Sequence, residues 1–552
     1  MGFRIAAITV VAGILYAILI LNVYNIQVVH GGNYKAQAEQ FYEMTGLLAP
    51  ERGNIYFTDN GGNDVPAAIT KEYPIIAANP KEIAKAEQAE QISVFGLADT
   101  LATITGRNPD DLKKLLSDAS SIYVPVLRKA SDDQVNAINS QTLPGVTIGE
   151  EKLRYYPLES IASQLLGFVS LDAQNPAGKY GLELYYNDTL AGKAGDTEGD
   201  KVTPGERGGD LHLTIDANIQ NHAESVLDKL VSDYKGTGGT VMVANPKTGA
   251  ILAMAGTPSF DPNNYSQADI KNFMNPTLQG VYEPGSIFKV ITMSSALDAG
   301  KVTPDTTYVD TGSITVSGKT IKNWDMKAHG KMTMTEVIEN SLNTGAAFAE
   351  KQLGNDAFYN YLTKFGLKEK TGVDLPGEVV GSLTPLEKDK RDINFATASF
   401  GQGVSATPIR LLEAIGAVAN GGVMMRPYVN ADLSPQPVRR VISEDASRKM
   451  VQMMVAAVDN AGIAHINGYT IAGKTGTAQV PDFVHGGYYA GKVIDSYVGF
   501  APAYNPRFIV FIKLDEPAGS PLAGLTIVPA FRDIANFALN YYNVPPDNLN
   551  TP

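Results

Sequence analysis

The sequence predicts an α+β fold for the longest part of the chain, 206–545. Strand patterns gather at the two ends of this part, and helical patterns fill the middle. The first strands are LHLTID from 211 and a hairpin at 240–254, and the last two lie at 496–501 and 507–514. Strands at both ends of a domain, with helices between them along the chain, are typical of one antiparallel sheet packed by helices.

The N-terminal segment comes first in chain order, and it is apolar. Residues 5–21 carry no charge over 17 positions, and the apolar character continues to Val29. At about 1.5 Å per residue, a helix of that extended length spans a bilayer core of roughly 30 Å. A cleaved signal peptide is the competing interpretation, but its apolar region would be shorter. We expect residues 1–29 to form a cytoplasmic tip and one uncleaved transmembrane anchor, which Arg4 orients with the N-terminus inside. The protein is then a single-pass cell-membrane protein, with the chain after His30 outside the cytoplasm.

Residues 30–205 mix strands, loops and helices, which predicts a second α+β domain. The segment AAITKEYPIIAANP (67–80) predicts a strand, and the segment that follows it, 81–105, predicts a helix. Glycine and charged residues are concentrated at 191–210, which indicates a linker. We therefore place the first domain at 30–205 and the second at 206–545.

Two helices are predicted near the ends of the second domain. One runs from Ala217 to about Val231, directly after the first strand. The other begins at about Pro529, and its apolar positions recur at helical spacing. These positions are Phe531, Ile534, Ala538 and Tyr541. Residues 546–552 follow as a short tail.

Composition argues against several classes of function. The net charge of −13 and the pI near 5.1, without a basic patch, argue against a nucleic-acid binder. The absence of cysteine removes thiol nucleophiles and cysteine metal sites. The six histidines show no metal-binding spacing, so we predict no metal and no cofactor. The segment GQGVSA at 401–406 fits a loose dinucleotide pattern, but no clear strand precedes it.

The segment EPGSIFKV at 283–290 carries the strongest indication of chemistry. It places Ser286 three positions before Lys289, so the two side chains share one face of a helix. A serine in the first helical turn also lies beside free N–H groups, which stabilise developing negative charge. A hydroxyl becomes a nucleophile when a base removes its proton, and a neutral lysine can be that base. The spacing therefore predicts a Ser/Lys acyl-transfer site.

The same spacing recurs at Ser232 and Lys235, in a different context. There it closes an apolar helical stretch and runs into glycines, which indicates a helix C-terminus. A nucleophile at that end would face carbonyl oxygens. We interpret Ser232 as a surface residue at a helix end.

Two further motifs follow Ser286 in the sequence. The triplet SLN at 341–343 lies in a helical pattern that breaks briefly at 343–345. The triplet KTG occurs three times: 247–249 fits a hairpin tip, and 370–372 fits a loop. Only Lys474-Thr475-Gly476 lies beyond the other two motifs and opens a strand, with Thr477 after it.

The order S-x-x-K, S-x-N and K-T-G resembles the penicillin-recognising serine transferases and hydrolases. Longer segments, among them APERGNIY, LRYYPLESIASQLLGFV, LHLTIDANIQ and SFGQGVSATPIRLLEAIGAVANGG, are similar to class B penicillin-binding proteins. These are membrane-anchored peptidoglycan D,D-transpeptidases of the division or elongation type. The resemblance covers nearly the whole chain and implies a transpeptidase domain on an elongated pedestal (30–205, dimerisation-like). Leu342 departs from the class A β-lactamases, which carry Asp there.

The resemblance also implies catalytic roles for five residues. Ser286 attacks the carbonyl of the penultimate D-alanine of a stem peptide, and Lys289 takes its proton. Ser341 passes a proton to the leaving amine, and Asn343 holds the substrate amide. Lys474 is a second cation that keeps Lys289 neutral.

Substrate binding is implied for the strand that begins with the third motif. Lys474, Thr475 and Thr477 would hold the terminal carboxylate of the stem peptide, with Gly476 between them. The backbone N–H groups of Ser286 and Thr477 would form the oxyanion hole. The GQGVSA loop at 401–406 would line the rim of the active site. For Trp324, the only tryptophan, packing and substrate contact both stay open.

The partners implied are peptidoglycan stem peptides, β-lactams as inhibitors, and a multi-span glycan polymerase with other cell-wall synthesis proteins. The polymerase would contact the single span, where Gly13 and several alanines allow close helix approach or simply face lipid. A D,D-carboxypeptidase, a β-lactamase-like hydrolase and a catalytically silent cell-wall scaffold are the alternative functions. A hydrolase would deliver water, rather than an amine, to the acyl-enzyme.

Overall fold

The computed structural model describes residues 13–20, 22–24, 48, 50–170, 176–198, 201–482, 484–519 and 522–548. The chain divides into two compact units. The first consists of Met1–Asn54, Ile69–Tyr155 and Asp188–Asp210, and the second of Ile55–Ala68, Tyr156–Asn187 and Leu211–Pro552. The domain boundary that we place between 205 and 206 stays a prediction.

The predicted anchor, 1–29, lies for the larger part outside the described residues. Of this segment, 13–20 and 22–24 are described, and both are helical with exposed side chains. Within the described part of the chain, no helix combines the length and the apolar character needed to cross a membrane.

The first unit packs helices on a small antiparallel sheet. The second part of the strand Asp64–Ala78 pairs with Val146–Tyr155 and with Val124–Leu127. Buried apolar residues from the strands and helices form one core cluster that includes Ile76, Leu101 and Leu112. The helices of this unit are Pro80–Gln88, Val94–Thr105, Pro109–Leu116, Asp132–Asn139 and Asn187–Leu190, and two short paired strands lie at Asp196–Glu198 and Lys201–Thr203.

The single helix predicted over 81–105 is two helices in the structure. The first ends at Gln88 and the second begins at Val94. Between them Glu90 takes a φ of +56°, which is outside the helical range. Ile83 from the first helix and Leu97 from the second both reach the core, because the break lets the chain change direction.

The second unit is built on a five-stranded sheet. In chain order its strands are β1 (Gly238–Ala244), β2 (Ile251–Thr257), β3 (Ala472–Pro481), β4 (Tyr488–Ala501) and β5 (Phe508–Asp515). Across the sheet the order is β2-β1-β5-β4-β3, and all neighbours are antiparallel. The antiparallel sheet built from both ends of the domain is thus confirmed, and β3 is one of its edges. The strand that the sequence predicts from 211 lies outside this sheet, because Leu211–Asp216 pairs in parallel with Ile55–Thr58 in a separate sheet.

Six longer helices accompany this sheet. They are α1 (Ala217–Tyr234), α2 (Lys289–Asp298), α3 (Asn343–Leu353), α4 (Pro408–Ala419), α5 (Glu444–Ala461) and α6 (Ala523–Tyr541). Helices α1 and α6 share one core cluster with the sheet, which includes Leu227, Val241, Ile512 and Phe531. Helix α2 is buried on all sides, with nine of its ten residues inside, as expected for a helix in the interior of a domain.

Shorter elements complete the second unit. The short helices lie at Ser163–Leu166, Gly181–Tyr185, Pro276–Gln279, Met334–Glu339, Asn355–Lys364, Thr384–Lys388 and Asp392–Ala398, and the 3-10 helices at Pro262–Gln267, Ile270–Phe273 and Gly285–Phe288. The short strands lie at Ile55–Thr58, Phe168–Ser170, Ala177–Lys179, Leu211–Asp216, Thr307–Asp310, Ser313–Val316, Lys319–Lys322, Gly330–Thr333, Val423–Met425 and Pro437–Arg440.

The closing helix α6 begins earlier than the sequence predicts. It starts at Ala523, and Pro529 lies inside it rather than at its first turn. A proline inside a helix removes one backbone hydrogen bond. Burial of Ala523 and Ile527 against the sheet core offsets this cost, because apolar burial contributes about 25 cal/mol per Å².

Candidate active site

Ser286 lies in a tight turn that leads directly into a buried helix. The 3-10 turn Gly285–Phe288 continues without interruption into α2. Gly285 has a φ of +56°, and a Cβ there would stand 2.8 Å from the carbonyl oxygen of Thr477 on β3. Gly401 would likewise overlap the backbone of Gly285 if it carried a side chain. The Pro-Gly before the serine therefore lets the turn press against the edge strand.

Lys289 is buried one turn after Ser286, with 1% of its surface exposed. Its Nζ donates to the carbonyl oxygen of Ser341 at 2.5 Å, to Oδ1 of Asn343 at 2.8 Å and to Oγ of Ser341 at 3.2 Å. Burial, and then the charge of Lys474, lower the pKa of Lys289 well below its ordinary value. The amine thus has the environment that a general base requires.

Ser341 lies in the short connection between the helix Met334–Glu339 and α3. Its φ is +54°, a conformation that non-glycine residues seldom adopt. The helical break that we predict at 343–345 lies slightly earlier, since α3 begins at Asn343. Asn343 donates from Nδ2 to the carbonyl oxygen of Lys322 at 2.9 Å, which orients its Oδ1 towards Lys289.

The buried carboxylate of Asp310 supports the connection that carries Ser341. Asp310 is 2% exposed and accepts a hydrogen bond from the hydroxyl of Thr344 at 2.7 Å. Nδ2 of Asn323 donates to both oxygens of Asp310, at 3.0 and 2.9 Å. Oδ1 of Asn323 in turn accepts from the N–H of Thr344 at 3.2 Å. Thr344 directly follows Asn343, so this network fixes the backbone that carries the second motif.

The third motif occupies the first half of the edge strand β3. Lys474 is 3% exposed, and its Nζ donates to Oγ of Ser341 at 3.0 Å and to Oγ1 of Thr475 at 3.3 Å. Burial lowers the pKa of Lys474 to about 7. The hydroxyl of Ser341 therefore lies between two lysine amines, one from each of the other two motifs.

Gly476 is required where β3 meets the serine turn. A Cβ at this position would overlap the hydroxyl of Ser496 on β4 and would stand 3.0 Å from the carbonyl oxygen of Pro284. On the next residue, the hydroxyl of Thr477 donates to Oδ1 of Asp495 at 3.1 Å. The second oxygen of Asp495 accepts from Thr526 on α6 at 2.8 Å. The strand is thus anchored to the sheet while Thr477 itself stays exposed.

The other copies of the motifs lie away from this cluster, as the sequence predicts. Ser232 is exposed in the last turn of α1, and Lys235 caps that helix in the left-handed conformation. Residues 247–249 form the tip of the β1–β2 hairpin, and 370–372 lie in a loop. The GQGVSA loop, 401–406, reaches the cleft instead: the carbonyl oxygen of Gly401 accepts from the N–H of Gly285 at 3.1 Å.

Trp324 lies next to the second motif. Its side chain is 54% exposed, and its Nε1 donates to the carbonyl oxygen of Asn340 at 3.0 Å. Asn340 directly precedes Ser341, so the indole contacts the same connection that Asp310 supports from the interior.

Three supporting residues escaped the sequence analysis: Asp310, Asn323 and Asp495. Asn323 directly precedes Trp324 in the sequence, but nothing in its own segment marks it as a support of the site. Asp310 and Asp495 belong to no motif of their own. A signal for Asp495 is its place in the mostly apolar run 493–501, since a carboxylate is rarely buried without partners.

Together, the three motifs join the Ser341 hydroxyl to two buried amines with lowered pKa values, Lys289 and Lys474, and the half-buried Ser286 lies one turn before Lys289. Acyl transfer through a covalent serine intermediate is the chemistry that such a set can perform. Both lysine amines contact the Ser341 hydroxyl, which permits proton movement between them.

The chain matches two families of known domains. Residues 239–536 match the penicillin binding protein transpeptidase domain, and residues 47–211 match the penicillin-binding protein dimerisation domain. It is 33% identical to stage V sporulation protein D of Bacillus subtilis, over 94% of this chain and 83% of that protein. It is 31% identical to peptidoglycan D,D-transpeptidase FtsI of Escherichia coli, over 91% of this chain and 86% of that protein.

Solved structures give the same result. A putative peptidoglycan glycosyltransferase from Atopobium parvulum aligns with a TM-score of 0.70 at 27% identity, over 90% of this chain and 99% of that one. Penicillin binding protein 2X from Streptococcus thermophilus aligns with a TM-score of 0.71 at 23% identity, over 90% of this chain and 81% of that one, and shares the fold. With its three motifs in one cleft, its transpeptidase domain and its relatives along nearly the whole length, the chain belongs to the class B penicillin-binding proteins.

Proposed function

We propose that this protein is a peptidoglycan D,D-transpeptidase that cross-links stem peptides through an acyl-enzyme on Ser286 and is inhibited by β-lactams. The observation that carries the proposal is the pair of buried amines, Lys289 and Lys474, that contact one hydroxyl, Ser341. A buried lysine can serve as a base because its charged form is disfavoured. The position of Lys289, one helical turn after Ser286, brings that base to the nucleophile.

In the first step, Lys289 takes the proton of Ser286, whose Oγ attacks the carbonyl carbon of the penultimate D-alanine. The C–N bond to the last D-alanine breaks, and a proton passes through Ser341 to the leaving amine. In the second step, the amine of another stem attacks the ester, Lys289 takes a proton from it, and Ser286 regains its hydrogen. The cross-linking amide forms as the ester bond breaks.

The remaining site residues bind and orient the donor. Lys474, Thr475 and Thr477 hold the terminal carboxylate, and Asn343 holds the substrate amide. The N–H groups of Ser286 and Thr477 bind the oxyanion, each worth about 3 kcal/mol. The close approach of Gly285 to Thr477 supports this arrangement, because it brings the serine turn and the edge strand into contact. Gly476 allows that contact.

The test is to incubate the purified full-length protein with a D-Ala-D-Ala donor peptide and an amine acceptor, and to separate the products. We expect release of D-alanine together with an amide-linked donor–acceptor product. Labelled penicillin should form a stable ester at Ser286 in the same preparation. Release of D-alanine with only the hydrolysed donor would assign a carboxypeptidase instead, and the absence of both products and of the ester would leave a silent scaffold.

We propose, further, that residues 1–29 anchor the chain as one membrane span, that residues 30–205 form a pedestal, and that the span contacts a multi-span glycan polymerase. Relatives named as peptidoglycan D,D-transpeptidases support a place in cell-wall synthesis. A transpeptidase joins stem peptides on glycan strands, which another enzyme must polymerise. Small residues such as Gly13 suit close helix contact.

Replacing residues 1–29 by an unrelated membrane span should leave penicillin acylation unchanged and impair cross-wall synthesis in cells. The reason is that the nucleophile and both amines lie far along the chain from the span. Labelling with penicillin and complementation of a deletion strain measure the two effects. Full complementation by the exchanged span would contradict a specific contact and leave the segment as a simple tether.

A further inference from the structure

Glu283 is a carboxylate at one end of the active-site cleft, three residues before Ser286. It is half-buried, and one of its oxygens accepts a hydrogen bond from the hydroxyl of Tyr488 at 2.9 Å. The backbone N–H of Gly403 donates to it as well. Tyr488 opens β4 and is opposite Pro481 at the end of β3. Glu283 therefore lies between the 401–406 loop and the far end of the edge strand.

The charge of this carboxylate is not balanced within the described residues. Neither of its two hydrogen-bond donors carries a charge, and no lysine, arginine or histidine of the described chain forms an ion pair with it. Burial raises the pKa of Glu283. A half-buried carboxylate without a cation is costly, and such groups in a cleft are frequent at binding sites.

The direction of the donor peptide along β3 follows from the two ends of the third motif. In the proposed function, Lys474, Thr475 and Thr477 hold the terminal carboxylate, and the acylated carbonyl lies further along the strand, at the N–H of Thr477. The donor therefore runs from its C-terminus towards Ala478 and Gln479, opposite in direction to β3. At about 3.3 Å per residue, the residue before the penultimate D-alanine reaches the end of the cleft where Gln479 lies.

That end of the cleft is where Glu283 is found. Nε2 of Gln402, the neighbour of Gly403 in the rim loop, is 3.5 Å from Oε1 of Gln479. We therefore expect the side chain of the third donor residue from the C-terminus to lie near two neutral amides, Gln402 and Gln479, and one unbalanced carboxylate, Glu283. This surrounding favours a cationic group over an acidic or apolar one.

We propose that Glu283 binds the side-chain ammonium of the donor residue that precedes the penultimate D-alanine, and so selects donor stems with a diamino acid at that position. The proposal rests on the proposed transpeptidase function and adds the chemistry of its donor. Glu283 is then a specificity residue that contacts the substrate, and the ammonium supplies the positive charge that the described residues do not provide.

The experiment compares two donors that differ only in one amine. The first is an acyl-L-lysyl-D-alanyl-D-alanine with a free side-chain amine, and the second is the same peptide acetylated on that amine. The value of kcat/KM for D-alanine release should be about tenfold higher, or more, for the free amine, as expected for one charge-assisted hydrogen bond. In Glu283→Gln the ratio should fall to near one, because the amide keeps the shape and loses the charge.

Tyr488→Phe is the matched control, since it removes the hydroxyl that contacts Glu283 and leaves the carboxylate in place. We expect this variant to keep most of the preference for the free amine. If Tyr488→Phe loses the preference as completely as Glu283→Gln does, the preference depends on the position of the β3–β4 hairpin, and the proposal is overturned. A wild-type enzyme that uses both donors equally, or a Glu283→Gln variant that slows both donors by the same factor, would overturn it as well.

Labelled penicillin separates this proposal from the function on which it rests. Penicillin carries no amine at the corresponding position when its side chain is neutral, and it acylates Ser286 directly. Wild-type protein that binds no penicillin would refute the transpeptidase itself, whereas labelled protein without a preference between donors would refute only the role of Glu283.

Discussion

Alanine in place of Ser286 is expected to abolish covalent labelling by penicillin and to lower D-alanine release by about 10⁴-fold or more, as loss of a catalytic nucleophile does in other enzymes. The substitution removes one hydroxyl from a turn that is fixed by Gly285 and by the start of α2. The fold should therefore persist, with an unchanged thermal midpoint. Mass spectrometry of the penicillin-treated protein measures the loss of the acyl adduct.

Ser232→Ala is the matched control for this prediction, because Ser232 has the same spacing to a lysine and lies exposed at a helix end. It should acquire the penicillin adduct at the wild-type rate. Stoichiometric labelling of the Ser286→Ala variant would move the nucleophile to another residue and contradict the proposed mechanism.

Lys289→Arg should be nearly as damaging as Lys289→Ala, with acylation slower by about 10³-fold or more. Arginine retains the positive charge but stays protonated at every accessible pH, so it cannot take the proton of Ser286. Its larger head group must also fit where Lys289 Nζ contacts Ser341 and Asn343. The second-order rate constant of penicillin acylation, measured by stopped flow, is the readout. Acylation within a few-fold of the wild-type rate would show that the charge of Lys289 matters and its basicity does not.

The pH dependence of the acylation rate is a further test of Lys289 as the base. Burial and the charge of Lys474 lower the pKa of Lys289, and acylation requires the neutral amine, so the rate rises as the pH passes upward through that pKa. Lys474→Ala removes the neighbouring charge and should raise the pKa of Lys289. The acid limb of the acylation profile should then move to higher pH. A limb that stays in place would mean that burial alone sets the pKa of Lys289.

The three motifs and most strands of the sheet could be predicted because each depends on local spacing. Ser286 and Lys289 are one helical turn apart, and the strands β4 and β5 show in the sequence as apolar runs around 503–506. The choice among three KTG copies also needed only context, since one alone opens a strand after the other motifs. Family resemblance then supplied the roles of the residues, which spacing alone leaves open.

The supports of the site could not be predicted in the same way. The hydrogen bond between Asp310 and Thr344 joins residues 34 positions apart, and Thr526 reaches Asp495 from a different element across 31 positions. Each of these residues is an ordinary polar residue in its own segment. The early start of α6, before Pro529, was missed because packing against the sheet outweighs the local preference of proline.

The Ser341 hydroxyl receives one contact from Lys289, 52 residues before it, and another from Lys474, 133 residues after it. No fragment of the domain shorter than this span can assemble the site, and a partly folded chain cannot hold both amines in place. The amount of covalently bound penicillin therefore measures how many molecules are correctly folded. A substitution far from the cleft that unfolds part of the population should lower the fraction of protein that takes the label, while the molecules that still fold take it at the normal rate.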